Sequence, residues 1–223
     1  TTEAVRSEMK LENGKTSLIC IHFVPLNIKL SFELTVDDYS MVSGRSIFNV
    51  LTDGTFGKKD VDMAVQISGS AQFSQQIPYF RVTNNKVFSV ISILIHVKEG
   101  QITKIELEDL QNACPQDKLV PTILDLSLPF STSENSIHMC SQEACSDNAE
   151  GQCDPKIFVS WSGTDAQGNA MNSNLDRITN FSTYNQQTMF ESMLATQNVT
   201  GDASKDNYVS SQIPANVKNR ISN

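Results

Sequence analysis

Three of the five cysteines and one of the three histidines fall within His138–Cys153, in the stretch "HMCSQEACSDNAEGQC". Such a cluster permits three chemistries: a zinc site, a redox pair or a covalent staple. Zinc sites usually pair thiolates roughly two to four residues apart, so that one turn brings both to the ion. Here the spacing is C-x4-C-x7-C, with His138 two residues before Cys140. A strand could aim His138 and Cys140 to one side, but the usual C-x2-C knuckle is missing, and so is a redox C-x-x-C. The loop is polar and too poor in apolar residues to hold its shape by packing, which is where disulfides are used. Cys20 sits inside an apolar segment and reads as a buried free thiol. Cys114, Cys140, Cys145 and Cys153 then remain for two bridges, with the connectivity open.

Catalytic signatures are absent. There is no G-x-S-x-G elbow, H-E-x-x-H, G-x-x-x-x-G-K or G-x-G-x-x-G. His22 and His96 lie in apolar segments and read as satisfied sheet residues. A Ser-His-Asp group is a spatial arrangement that no spacing reveals. Glu33, Asp37, Glu106 and Asp125 lie on or near expected strands, but no spacing singles out a glycosidase pair. Two oxygen-rich turns, 37–44 and 147–151, lack the alternating acidic pattern and closing Glu of an EF-hand, so they read as solvated turns. The chain is therefore read as no enzyme, with no cofactor and no metal.

Two glycan acceptor sequons occur, at Asn180-Phe181-Ser182 and Asn198-Val199-Thr200. Both lie in polar stretches, where a glycan needs exposure. Trp161, the single tryptophan, reads first as a core or bridge-covering residue. If exposed, it is the first residue to offer a glycan contact.

Strict alternation marks the elements that must carry these residues. "KLSFELTV" places Leu30, Phe32, Leu34 and Val36 on one face and Lys29, Ser31, Glu33 and Thr35 on the other. "VDMAVQI" repeats the pattern with Val61, Met63, Val65 and Ile67 inward. "SLICIHFV" and "VFSVISILIHV" are apolar on both faces and read as central strands. Shorter candidates are "SIFNVLT", "YFRVT", "QITKIEL", "PTILDLSL" and "KIFVSW". Turn signals stand at Asn13-Gly14, Asp53-Gly54, Asn84-Asn85, Glu99-Gly100 and Gly163. Lys98-Glu99-Gly100 joins "VFSVISILIHV" and "QITKIEL" as a hairpin. "QQTMFESMLATQ" has the spacing of one short helix.

These signals predict an all-β protein, an antiparallel β-sandwich of jelly-roll or lectin-like kind. The expected divisions are an N-terminal arm over 1–14, the main sandwich over 15–110 and a smaller disulfide-stapled β region over 111–179. A polar C-terminal extension with a short helix follows over 180–223. The strand rhythm at "KLSFELTV…SIFNVLT…IPYFRV" is similar to that of laminin-G and legume-lectin sandwiches, in rhythm alone and with no diagnostic motif.

The net charge of −8 comes without any basic cluster beyond Lys58-Lys59. Nucleic acid and anionic membrane surfaces are thereby disfavoured as partners. The longest apolar run, Val87–Val97, is too short for a membrane helix, which needs about 18 residues, so no membrane insertion is expected. A chain beginning at Thr1 fits a mature secreted protein. The leading expectation is a secreted structural or assembly protein, a surface coat or filament subunit. Its terminal extensions would contact further copies, with Tyr208, Val209, Ile213 and Val217 as apolar anchors. A carbohydrate- or ligand-binding module is the alternative, with glycans as partners, and an extracellular hydrolase comes third.

Overall fold

The computed structural model describes residues 10–24, 26–44, 47–52, 59–67, 73–74, 76–123, 136–143 and 153–177. In chain order its elements are β1 (Thr16–Val24), β2 (Ile28–Thr35), β3 (Ser40–Ser43), α1 (Ile47–Thr52), β4 (Val61–Ile67), β5 (Ile77–Arg81), β6 (Lys86–Val87), β7 (Val90–Lys98), β8 (Gln101–Leu107), β9 (Leu119–Ile123), β10 (Ser136–Cys140), β11 (Gln142–Glu143), β12 (Lys156–Thr164) and β13 (Ala170–Met171). The described residues are mostly β-strand with little helix.

One six-stranded sheet has the order β11-β6-β5-β4-β1-β2 and is antiparallel throughout. A five-stranded sheet runs β13-β12-β7-β8, with β3 also paired to β12. β9 and β10 pair antiparallel with each other in a separate two-stranded sheet. Alternation decides which side chains are buried. Val61, Met63, Val65 and Ile67 on β4 are all inward and buried, as are Leu30 and Leu34 on β2. Ile91, Ile93, Ile95 and Val97 on β7 join Ile157, Val159 and Trp161 on β12, and all belong to one core with the inward residues of the six-stranded sheet.

Three expectations change. "SIFNVLT" is not a strand: Ile47–Thr52 is helical. Ile47 and Val50 are one helical turn apart and both buried, while Asn49 between them is exposed. The Asp154 carboxylate accepts the Phe48 amide at 3.1 Å, satisfying a donor at the helix start. Gly163 is not a turn but lies inside β12, at φ +111°, where a Cβ would overlap the Val97 carbonyl oxygen. Finally, the expected boundary at residue 110 does not separate the strands. β12, well beyond it, sits between β7 and β3 and pairs with β7 in parallel, from Lys156↔Val90 to Gly163↔Val97.

Cys114 and Cys140 form a disulfide, with Cα atoms 5.6 Å apart. It anchors a second, smaller core of Met41, Val90, Leu110, Ala113 and Phe158. Among the described residues, no helix is long and apolar enough to cross a membrane.

Candidate functional site

The five-stranded sheet has a polar outer face, and the parallel register of β7 and β12 builds it. Even-numbered residues of both strands point away from the main core. Pairing sets Phe158 beside Ser92, Ser160 beside Leu94 and Ser162 beside His96. β8 then adds Glu106 opposite Leu94 and Lys104 opposite His96. The face grades from apolar to polar along the strands. At one end, Phe158 and Val90 belong to the second core around the disulfide. In the middle, the Ser92 hydroxyl and the Arg177 guanidinium both donate to the Glu108 carboxylate, whose side chain is only 6% exposed. Ser160, fully buried, donates to the Ile93 carbonyl at 3.3 Å.

At the polar end, three strands contribute one continuous relay. Glu106 Oε2 lies 2.8 Å from His96 Nε2, and His96 Nδ1 lies 3.1 Å from Ser162 Oγ. With the ring proton on Nε2 donated to Glu106, Nδ1 accepts the Ser162 hydroxyl proton. Lys104 Nζ sits 3.1 Å from the other Glu106 oxygen. Burial pushes the Glu106 carboxyl up, but the hydrogen bonds and charges of His96 and Lys104 outweigh it and hold the group below its ordinary value. The His96 side chain is 34% exposed, so the relay meets solvent. A serine hydroxyl hydrogen-bonded to an imidazole that a carboxylate orients is the arrangement that activates a nucleophile.

The other expected sites are placed as follows. Cys20 is free and half-buried, with its sulfur 3.3 Å from Ser31 Oγ. Cys153 is disulfide-bonded and buried; Cys145 lies outside the described residues. Cys140 is spent on Cys114, so it cannot serve a zinc ion beside His138. His138 instead meets Asp109 through Nδ1 at 3.0 Å. His22 packs edge-on to Phe73, and burial, then the Lys29 charge, lower its pKa against a hydrogen bond that the ring donates to Gln66.

Trp161 is fully buried in the main core, so its proposed glycan contact is withdrawn. The odd-numbered positions of β12 face inward, and Trp161 is one of them. Asn180, Asn198, Asp125, Tyr208, Val209, Ile213 and Val217 lie outside the described residues, as do the helix expected at 186–197 and the turn at 147–151.

The turn at Asp37 is a structural lock. Its Oδ1 accepts the amides of Asn172 and Ser173, and its Oδ2 accepts Asn13 Nδ2 at 3.1 Å. Asp165 does the same nearby, accepting from Asn169 Nδ2 and from the amides of Asn13, Gln167 and Asn169. Those bonds, the Asn169 side chain first, hold its carboxyl down at about 2. Among the described residues, no three His, Cys, Asp or Glu side chains are grouped to hold a metal ion.

Two buried groups lie near Cys153. Burial lowers the pKa of Lys156, with Asp154 opposing the shift. Burial, then Asp154, raises that of Tyr79, whose hydroxyl donates to the Cys153 carbonyl at 2.8 Å.

Sequence reasoning missed the relay. His96 and Ser162 are 66 residues apart, and only the parallel pairing joins them. The available signal was alternation in "VSWSGT", which sets Ser160 and Ser162 opposite Trp161.

Comparison with family models, with curated proteins and with solved structures finds no match.

Proposed function

We propose that the chain is a structural protein whose copies assemble through open sheet edges, its two sheets packing as a sandwich of jelly-roll or lectin-like kind that is antiparallel except where β12 runs beside β7. The supporting observation is that β2 and β8 are each outermost in their sheet and pair on one side only among the described residues. An outermost strand leaves a row of backbone donors and acceptors that another chain can pair with. Secretion, glycans on Asn180 and Asn198, and docking of Tyr208, Val209, Ile213 and Val217 belong to the same proposal. A disulfide together with acceptor sequons suits an oxidising, extracellular setting. Sedimentation velocity over a range of concentrations tests it. Concentration-dependent self-association is expected, and deletion of residues 200–223 should weaken it while the chain stays folded. A monomer at every concentration refutes the proposal.

A second proposal, the hydrolase, draws on the Ser162–His96–Glu106 relay, with Ser162 as nucleophile, His96 as base and Glu106 as its orienter. Covalent labelling by a fluorophosphonate, located on Ser162 and lost in His96→Ala, is its expected signature. Absence of labelling at Ser162 refutes it.

A further inference from the structure

We infer that β2 is the docking edge and that it pairs antiparallel with β2 of a second copy about a twofold axis through Ser31. This rests on the assembly proposal above and names its surface and partner. β2 runs for eight residues with an unbroken register to β1, from Thr16↔Thr35 to Phe23↔Ile28. Its odd-numbered residues lie on the outer face of the six-stranded sheet, Lys29 beside His22, Ser31 beside Cys20 and Glu33 beside Leu18. Its even-numbered residues face the core, and Phe32 among them is only partly buried.

An antiparallel strand paired with its own copy obeys a fixed sum of residue numbers, and that sum must be even to keep each face on its own side. Centring on Ser31 sets Lys29 opposite the second copy's Glu33 and Glu33 opposite the second copy's Lys29. The same register sets Leu30 opposite Phe32 and Ile28 opposite Leu34, so apolar meets apolar on the inner face. Both charges are available for this. Neither Lys29 nor Glu33 makes an ion pair among the described residues. Four positions apart on one strand, they are too distant to pair with each other.

The rival edge, β8, is built to resist addition. Its register to β7 shifts between His96 and Val97. Its Glu106 is already engaged by His96 and Lys104. A bulge is a feature that blunts strand pairing, and β2 has none in its register to β1.

Charge reversal tests the register, with sedimentation equilibrium as the readout and circular dichroism as the check on folding. Lys29→Glu puts like charges opposite each other twice in a symmetric pair, and so does Glu33→Lys. At up to about 1 kcal/mol per cross-strand pair, each single variant should associate more weakly, by up to about 30-fold. The double variant Lys29→Glu/Glu33→Lys should recover association. An equimolar mixture of the two single variants should form mixed dimers, visible by native mass spectrometry. Single variants that associate as tightly as the parent overturn the β2 edge and leave the assembly proposal standing. Weakened singles with no recovery in the double variant or the mixture overturn the register. A parent protein that stays monomeric overturns both the edge and the assembly proposal.

Discussion

Replacing Cys114 and Cys140 together by alanine should destabilise the protein by about 3.5 kcal/mol. The bridge spans a sequence separation of 26. Closing a loop of that length removes about 12 cal/mol/K from the unfolded chain, or about 3.5 kcal/mol at room temperature. Both cysteines are buried in the second core, at 0% and 1% exposure. Alanine keeps those positions small and apolar, so the loss isolates the cross-link. Serine at either site would add an unsatisfied buried hydroxyl at about 1–3 kcal/mol. For a domain of this size, about 3.5 kcal/mol corresponds to a fall in melting temperature of about 7–14 °C. Substitution is the cleaner perturbation, because a reductant would also open the bridge at Cys153. The assay is thermal and urea unfolding followed by circular dichroism. A double alanine variant melting within about 2 °C of the parent would refute the reasoning. It would mean that the unfolded loop is already restrained without the bond, or that the native bridge carries an offsetting cost.

Three further outcomes are expected. Gly163→Ala should lose more than about 4 kcal/mol and fail to accumulate as folded protein, because its Cβ has no room beside the Val97 carbonyl; a soluble variant with an unchanged melting temperature contradicts this. Asp165 has a folded pKa of about 2, below its ordinary 3.8. Its stabilising contribution is full above pH ~4 and is lost as pH falls through about 2. Asp165→Asn should therefore flatten that part of the stability–pH curve, and an unchanged slope between pH 4 and 2 argues against it. Under denaturing, non-reducing conditions, alkylation should label one thiol per chain, on Cys20; a second label shows an open bridge.

Alternation was the most informative sequence signal, because burial on one face of a strand forces it. β2, β4 and the β7–β8 hairpin were all legible for that reason. A short amphipathic helix and a short strand share their apolar content, so "SIFNVLT" reads as a strand although Ile47 and Val50 are buried one helical turn apart in α1. Gly163 carries the composition of a turn, but its role is to let β12 pass close to Val97. What remained illegible was the partnering of distant strands. Nothing in "KIFVSW" says that it enters a sheet beside residues 90–97 rather than forming part of a later region. The Ser162–His96–Glu106 relay depends on that single pairing, and so does the burial of Trp161.

The late position of β12 has a consequence for how the chain is made. β7 emerges with β8 as a local hairpin, and its other edge waits for residues 156–164. Until those residues are synthesised, the most apolar strand of the protein keeps one side bare. β3, which precedes it, also pairs with β12. A sheet completed by a strand so late in the chain folds slowly, because distant residues must meet before their contacts reward the closure. During translation, then, the nascent chain carries an aggregation-prone edge over about 60 residues of elongation, some seconds at ordinary rates of synthesis. A mutation that slows capture of β12 would reduce yield through that interval even if the finished protein were as stable as before.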